Sequence, residues 1–388
     1  MTVRACVLPA GFFTLGPALL ALACSGGTST NSAPALADGH DGGARGAVDA
    51  GTVSSSDTDG ATDGGTDGTT GVSDAIAGGP APPSSDGGAP AGFWDSSNIP
   101  PAKNVMMFKF LNRTNGKYTD SEVYWSFKNG NISETHSIAD RSLYDMPPNA
   151  SGRMYFYLCA AGDATCASDP TKSKYYDFIE HTIGPTQYNG NTTRVDAFGL
   201  KIAMRLHCAD GYDVAVGEDY ETFLEDRTVT FQKFIAEVPV EFQPLAQPPF
   251  APYRIVQPGS GSFKTGGTNA QYYDSFVNAM WAANGLTIAK PGPNGSGLAA
   301  NPDVSAAIYR HVGAVAGTFD PNGKLLDKTL WTSSATFYTA APADYYARFW
   351  HTHGLSGKAY GFPYDDVGGY SSYISHTKPQ SMMVAIGW

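Results

Sequence analysis

The sequence lacks aromatic residues over a long stretch near its N-terminus. Between Ser25 and Gly92 it contains no Phe, Trp or Tyr and consists mostly of Asp, Gly, Ala, Ser and Thr. Such a segment cannot bury enough apolar surface to offset the entropy lost when it becomes ordered. We therefore predict that residues 24–92 form a disordered tether and that residues 93–388 form the folded region.

Positive charge is scarce as well. The formal net charge is −11, and the tether carries nine aspartates against Arg45 alone. The folded region is therefore only mildly acidic, and it has no basic stripe of the kind that binds nucleic acid. We expect no nucleic-acid partner.

An almost uncharged apolar run stands at the start of the chain, from Leu8 to Ala23, after Arg4. It is too short and too early for a membrane-spanning helix, and it is typical of an export signal over residues 1–23. The segment ALACSGG that follows resembles the lipobox of bacterial lipoproteins, in which the cysteine is lipidated after cleavage. The resemblance implies a lipid anchor at Cys24 as the single membrane contact, on a bacterial cell-surface or outer-membrane protein; ordinary secretion is the alternative.

Cysteine is sparse, with five in the whole chain, and Cys6 leaves with the export signal. Cys159 and Cys166 bound a short polar loop, CAAGDATC, and a disulfide between them is the simplest use of an oxidising compartment. A zinc site would need tighter paired spacings and more ligands. We predict this disulfide and a buried thiol at Cys208.

Motifs for metals and phosphates are missing too. His351 and His353 stand close together without a clear third ligand, so histidines at a helix end are the simpler interpretation. The segment from Gly259 to Gly267 lacks the Gly-Lys-Ser/Thr ending of a phosphate-binding loop. We expect no cofactor, no metal and a monomeric protein.

Strand-like sequence dominates the first half of the folded region. Short runs rich in Val, Ile, Tyr, Phe and Trp alternate with Asn, Gly, Pro and Asp clusters, which predicts many short strands in a sandwich or barrel. The strand candidates are Val105–Leu111, Glu122–Phe127, Arg153–Leu158, Tyr175–Ile183 and Thr193–Leu206. The residues from Leu200 to Leu206 alternate with a period of two, as in a strand with one buried face.

The period changes after Gly217, where four segments have helix-like patterns. Asp303 and Asp344 stand where acids complement the dipole at a helix N-terminus. The final SMMVAIGW is again strand-like. We predict a mainly β protein with an α/β part: a β domain over about residues 100–216 and 355–388, and a mixed α/β domain over about residues 217–354. A cleft between them would be the natural binding site.

Two acidic residues interrupt the strand-like sequence, Glu180 and, 16 positions later, Asp196. Hydrolysis of a glycosidic bond needs one carboxylic acid to protonate the leaving oxygen and one carboxylate to activate water or attack directly. Two acids on neighbouring antiparallel strands would meet this need. On the first strand Phe178, Glu180 and Thr182 share a face, which would place an aromatic ring, an acid and a hydroxyl on one surface. The simpler interpretation is an acid on a solvated strand face.

Several segments, in order along the chain, resemble glycoside hydrolase family 64, the laminaripentaose-producing β-1,3-glucanases. They are DFIEHTIG with TTRVDAFGLKI, then FKTGGTNAQYYDSFVNAMW, YARFWHTHG, YGFPYDDVGGYSSYI and the final MMVAIGW, and together they cover most of the chain from about Asn104 to Trp388. The resemblance implies a thaumatin-like β-barrel or sandwich domain beside a mixed α/β domain, with an open groove between them. The dense disulfides of plant thaumatins are missing here.

The resemblance also implies roles for individual residues. Glu180 matches the catalytic general acid of the family and Asp196 the general base of an inverting mechanism. Thr182 and Thr193 match groove positions that flank these acids, and Phe178 and Asn191 complete the expected sugar contacts beside them.

A second motif, YGFPYDDV, resembles the late acidic motif of thaumatin-like proteins. It implies that Asp365 and Asp366 add negative charge to the same cleft and contact substrate; the alternative is that both are structural turn residues.

The expected function is hydrolysis of β-1,3-glucan of the laminarin or curdlan type to short oligosaccharides. The alternative from another class is a non-catalytic, thaumatin-like glucan-binding protein of the cell surface, in which the acidic cleft binds glucan without cutting it.

Overall fold

The computed structural model describes residues 88–283, 290, 292–293, 302–311, 335, 337–365 and 369–388, all within one compact unit, Ala75–Trp388. The predicted export signal, the lipidation site Cys24, nearly all of the predicted tether and the predicted cleft residue Asp366 lie outside the described residues. Within the described part, every helix falls short of the length and apolarity that crossing a membrane requires.

Thirteen strands and six α-helices make up the regular structure of the described residues. The strands are β1 Met106–Arg113, β2 Val123–Asn129, β3 Ile132–Ser137, β4 Leu143–Met146, β5 Asn149–Leu158, β6 Tyr176–Ile183, β7 Gln187–Thr192, β8 Ala197–Phe198, β9 Lys201–Cys208, β10 Asp213–Gly217, β11 Ile255–Val256, β12 Tyr373–Thr377 and β13 Pro379–Gly387. The helices are α1 Ala164–Ala167, α2 Tyr220–Leu224, α3 Arg227–Glu237, α4 Asp274–Ala283, α5 Pro302–Arg310 and α6 Tyr345–Thr352.

One sheet has five strands in the order β10-β9-β13-β1-β4. Strand β13, the last in the sequence, lies at its centre, antiparallel to β9 and parallel to β1. Parallel neighbours need a long connection. Here more than 250 residues separate the two strands, so the first and last strands of the described chain complete one layer together.

The other large sheet has six strands in the order β12-β7-β6-β5-β2-β3, and every neighbouring pair is antiparallel. Alternate residues of its strands point to opposite faces. The inner face contributes side chains such as Trp125, Phe156 and Ile179 to a core shared with Phe110 and Met204 of the five-stranded sheet. The outer face is polar and aromatic.

The predicted fold class, mainly β with an α/β part, is confirmed. Of the two architectures that the strand pattern allowed, the structure has the sandwich: two sheets pack face to face, and among the described strands neither sheet closes into a barrel. The predicted mixed α/β stretch, residues 217–354, contains α2 to α6 and the two-residue strand β11, which pairs with β8.

A second apolar core surrounds these helices. It includes Phe231 and Phe234 of α3, Tyr346 and Trp350 of α6, and Phe198 of β8. Helix α6 begins after Asp344, whose Oδ1 accepts from the backbone N–H of Ala347 at 3.1 Å, as an N-cap does. Phe198 therefore packs the segment that follows β7 against the helical core.

The three described cysteines have the states that the sequence analysis assigned to them. Cys159 and Cys166 form a disulfide with an S–S distance of 2.04 Å, and Cys208 is a buried free thiol. Burial raises the pKa of Cys208 to about 12, so the thiol stays protonated and inert.

Candidate active site

The outer face of the six-stranded sheet carries Glu180. On β6 the side chains of Tyr176, Phe178, Glu180 and Thr182 alternate with Asp177, Ile179, His181 and Ile183, and the members of the second set are buried. The expected face shared by Phe178, Glu180 and Thr182 is thus present. Register then fixes the neighbours of Glu180: Arg153 of β5 lies opposite it on one side and Asn191 of β7 on the other.

Arg153 is the direct partner of Glu180. Its Nε donates to Glu180 Oε1 at 2.9 Å, and the two side chains remain 41% and 37% exposed. The guanidinium also lies 4.5 Å from the centroid of the Phe178 ring, which is buried beneath it. Phe178, expected as a sugar contact, is therefore covered by Arg153.

The pKa of Arg153 is affected by both acids. Burial alone would lower its pKa, but the negative charges of Glu180 and Asp196 and an interaction with Tyr155 outweigh that effect, and its pKa is raised. One guanidinium therefore lies within electrostatic reach of both carboxylates.

Asp196 does not lie on the strand that the sequence pattern predicted. The predicted strand from Thr193 to Leu206 is broken: the chain leaves the six-stranded sheet after Thr192, forms the short β8, and enters the five-stranded sheet only at Lys201. Asp196 belongs to the irregular crossing between the sheets. The neighbours of β6 are β5 and β7, and neither carries Asp196, so the expectation of two acids on adjacent strands is wrong.

The environment of Asp196 differs from that of Glu180. Its side chain is exposed to solvent, although nearby protein atoms partly bury the carboxylate. This burial raises its pKa; the positive charge of Arg153 opposes the rise, and the negative charge of Glu180 adds to it. The two acids, 16 residues apart in sequence, are therefore electrostatically coupled.

A buried arginine holds the loop that carries Asp196. Arg194 donates from Nη1 to Asp177 Oδ2 at 2.8 Å, and from Nε and Nη2 to the two carboxyl oxygens of Glu218, both at 2.6 Å. It also donates to the backbone carbonyls of Thr193 and Leu200 at 2.9 and 3.1 Å. These charge-assisted bonds join the loop to both sheets.

The acids of this network also fix the backbone beyond Asp196. Asp177 Oδ2 accepts from the N–H groups of Gly199 and Leu200 at 2.9 and 3.1 Å. A Cβ at Gly199 would lie 1.9 Å from the carbonyl oxygen of Tyr176, so only glycine allows the loop to approach β6 this closely. The chain at Gly199 therefore crosses β6 in close backbone contact.

Aromatic side chains of β5 and β6 lie on the outer face next to Glu180. Tyr155 lies beside Phe178, with ring centroids 5.4 Å apart, and beside Tyr176 at 6.5 Å. Arg254 covers Tyr176, its guanidinium 3.7 Å from the ring centroid. Burial raises the pKa of Tyr155, and it keeps a hydrogen-bonding hydroxyl near Asp196 and Arg153.

The sequence analysis missed Arg153, Tyr155, Tyr176 and Arg254. For the first two a signal existed: the predicted strand Arg153–Leu158 pairs with the strand of Glu180, and aligning the two as antiparallel neighbours places Arg153 opposite the acid. Arg254 belongs to an irregular turn far along the chain, where no periodicity points to it.

The three other predicted sugar contacts differ in burial and in hydrogen-bond partners. Thr182 lies on the face of Glu180, where its Oγ1 accepts from the N–H of Ser151 at 3.0 Å. Asn191 lies next to Glu180, and its Oδ1 is buried without a hydrogen-bond donor among the described residues. Thr193 is buried, and its Oγ1 accepts from the N–H of Val195 at 3.2 Å, so it shapes the Asp196 loop from beneath.

Asp365 is not a cleft residue. It is fully buried, where it accepts from Arg310, from His351 Nε2 at 2.8 Å and from the N–H of Gly361 at 2.7 Å. Burial alone would raise its pKa, but His351 and Arg310 outweigh that and lower it. The expectation that Asp365 contacts substrate is wrong, because its side chain is buried and paired with Arg310 and His351. The geometry of Asp365 fits the alternative, a structural residue of the turn.

The two histidines of HTH take part in separate pairs. His351, on α6, faces Asp365 and also lies 3.2 Å from the hydroxyl of Tyr338. His353 Nε2 lies 3.0 Å from Glu237. Across the described ranges, no group of three or more His, Cys, Asp or Glu side chains could hold a metal ion.

The arrangement as a whole combines two carboxylates, Glu180 and Asp196, with an arginine that interacts with both, and with tyrosines and an amide near Glu180. Such a site can donate one proton and accept another across a bound molecule, which is the requirement of two-carboxylate glycoside hydrolysis.

Comparison with known proteins agrees with this chemistry. The sequence model of glycoside hydrolase family 64, described as beta-1,3-glucanase, matches residues 144–300 and 289–386. A crystal structure of a family 64 laminaripentaose-producing beta-1,3-glucanase from Paenibacillus barengoltzii is 31% identical, with a TM-score of 0.60 over 76% of this chain and 77% of that chain.

Two more distant relatives match as well. A beta-1,3-glucanase domain of the same family from Clostridium beijerinckii has a TM-score of 0.60 at 23% identity, over 75% of this chain and 100% of that chain, which supports the fold alone. A glucan endo-1,3-beta-glucosidase of Arthrobacter sp. (strain YCWD3) is 25% identical over 267 residues, 56% of this chain and 46% of its own. The chain thus spans about half the length of the curated relatives it matches.

Proposed function

The chain belongs to glycoside hydrolase family 64, and from that membership we propose that it hydrolyses β-1,3-glucan of the laminarin or curdlan type to short oligosaccharides. The observation that supports the proposal is Glu180 on the outer face of the six-stranded sheet, hydrogen-bonded to Arg153 at 2.9 Å. The solvent-exposed Asp196 adds a second acid whose charge acts on the same arginine.

In the proposed mechanism Asp196 is the general base. Its raised pKa makes the carboxylate a stronger proton acceptor, and the positive charges of Arg153 and Arg254 keep that rise in check. Asp196 takes a proton from a water molecule as the water attacks the anomeric carbon of the sugar.

Glu180 is the general acid in this mechanism. Its Oε1 accepts from Arg153, whereas Oε2 faces no hydrogen-bond donor among the described residues. Oε2 is thus the oxygen that carries the proton to the glycosidic oxygen. The bond between the anomeric carbon and that oxygen breaks as water enters from the opposite face, so the product forms with inverted configuration. Room for the water requires carboxyl groups about 6.5 to 9.5 Å apart.

The first test is an assay of the full-length protein on laminarin and curdlan. We expect short oligosaccharides from the wild type, and a loss of about 10²- to 10⁴-fold in rate for Glu180→Gln and for Asp196→Asn. Both variants should keep the circular dichroism spectrum and melting temperature of the wild type. Hydrolysis at the wild-type rate by either variant would refute the assignment, and binding of glucan without any oligosaccharide product would favour the non-catalytic alternative.

Two further readouts separate the roles. Proton NMR of the first product should show the α-anomer, and initial release of the β-anomer would exclude inversion. A laminari-oligosaccharide with a dinitrophenyl leaving group does not need a proton donor, so Glu180→Gln should recover activity on it while Asp196→Asn should not. The opposite pattern would exchange the two roles.

A further inference from the structure

Tyr373 extends the face of the catalytic acids. In the sheet register Tyr373 of β12 lies opposite Asn191 of β7, and Asn191 lies opposite Glu180 of β6. Directly paired residues point to the same face of a sheet. Tyr373, Asn191, Glu180 and Arg153 therefore form one row across four neighbouring strands, with Arg153 and Tyr373 at its two ends.

The Tyr373 ring leans over the sheet. Its hydroxyl donates to Asn189 Oδ1 at 3.0 Å, and Asn189 lies two residues along β7 from the residue directly opposite Tyr373. This diagonal bond holds the ring along the surface, so one ring face covers the sheet and the other faces solvent. The residue is 48% exposed, and it is the aromatic member among the four exposed large apolar side chains of the described residues.

Polar groups surround the exposed ring. Ser375 Oγ donates to Asn189 Oδ1 at 2.7 Å, and Gln187 Nε2 donates to both Ser375 Oγ and Asn189 Oδ1 at 3.2 Å. A pyranose has an apolar face of C–H groups and a rim of hydroxyls. An aromatic ring flanked by amides and hydroxyls matches both features.

The distance between Tyr373 and Glu180 suits one polymer chain. They are two strand spacings apart, about 9 to 10 Å. A ligand that runs from one to the other passes over Asn191, which lies between them in the same row.

We propose that Tyr373 forms a stacking subsite for a glucosyl residue of the β-1,3-glucan chain, on the side of Glu180 away from Arg153. The inference rests on the proposed function and adds a direction to it: the polysaccharide crosses the strands along the row from Tyr373 to Arg153. Tyr373 contributes affinity for chains long enough to reach it and takes no part in the bond-breaking step.

Binding is measured first, in the inactive Glu180→Gln background, by calorimetric titration with laminarin. Adding Tyr373→Ala should weaken binding by about threefold to tenfold, the size of effect expected for loss of one aromatic contact. Adding Tyr373→Phe, which keeps the ring, should leave most of the affinity. The matched control is Leu224→Ala, which removes an exposed apolar side chain from α2 and should change nothing.

Kinetics on active protein provide the second measurement. Tyr373→Ala should raise KM for laminarin while kcat stays within about twofold, because the lost contact is the same in ground and transition states. On the shortest oligosaccharides that are still cleaved, Tyr373→Ala and wild type should converge.

The outcomes separate the two proposals. Active wild type together with unchanged laminarin affinity and KM in Tyr373→Ala would overturn the subsite and leave the glucanase proposal standing. Equal losses for Tyr373→Ala and Leu224→Ala would also overturn it, because the effect would not be local. Failure of wild type to cut and of Glu180→Gln to bind any β-1,3-glucan would overturn the proposed function and the subsite with it.

Discussion

The two candidate catalytic acids are held in place by opposite means. Glu180 lies in the middle of a regular sheet, where the pairing of β5, β6 and β7 determines its position and the nearest charge, Arg153, is half exposed. Asp196 lies in an irregular crossing between two sheets. The position of this loop is fixed by the buried Arg194, which pairs with the buried acids Asp177 and Glu218.

The difference shows what each kind of placement requires. The position of a strand residue is fixed by the backbone hydrogen bonds of the sheet, which form whatever its side chain is. A loop residue has no such ladder, so its backbone groups need other partners: Arg194 binds two carbonyls of the crossing, and Asp177 binds two of its N–H groups. We infer that the stability of the fold and the position of Asp196 depend on the same buried charges.

Replacing Arg194 should have the largest effect on stability. Arg194→Met leaves Asp177 and Glu218 buried without their cation, which should lower the free energy of unfolding by about 3 to 5 kcal/mol. Arg153→Met, on the strand side, should cost less than about 1 kcal/mol because the ion pair with Glu180 is half exposed. Urea denaturation of both variants measures the two changes, and equal losses would contradict the contrast drawn here.

Arg153 should instead control the pH dependence of activity. Arg153 lowers the pKa of Asp196, so Arg153→Met lets that pKa rise further. A general base works only when ionised, and the acidic limb of the profile of kcat/KM should therefore move to higher pH. The surface variant Lys117→Met is the control and should leave the limb unchanged. A shift to lower pH would contradict the base role of Asp196.

The smallest expected effects come from a matched pair of threonines. Thr193→Val removes a buried hydroxyl that accepts from Val195 in the Asp196 loop, and it should cost about 1 kcal/mol of stability and several-fold in kcat. Thr182→Val removes a partly exposed acceptor beside Glu180, where water can replace it for the N–H of Ser151, and should cost less than about 0.5 kcal/mol. Thermal unfolding and laminarin kinetics compare the two, and a larger stability loss for Thr182→Val would reverse the contrast.

The sequence predicted what periodicity and local spacing control. The alternation of β6 put Phe178, Glu180 and Thr182 on one face, and the short Cys159–Cys166 loop indicated the disulfide. Both depend on residues close together in the chain.

Other features depend on partners far apart in sequence. The predicted strand Thr193–Leu206 includes Asp196 because no local sequence signal indicates the crossing. The loop forms through Asp177 and Glu218, which are 17 and 24 residues from Arg194. Asp365 looked like a cleft acid since its cation, Arg310, lies 55 residues away. Whether a charged side chain is buried can be judged only when the position of its partner in the fold is known.

The central position of β13 bears on how the protein is made. Until residues 379–387 have emerged from the ribosome, β9 and β1 have no strand between them, and the five-stranded layer exists only as two separate pairs. A nascent chain that already contains Glu180, Asp196 and every helix of the described residues still exposes the apolar inner side of the sandwich. Assembly of the hydrophobic interior thereby waits for the synthesis of β13, and a product cut short before Pro379 would hold both acids on a scaffold that cannot close.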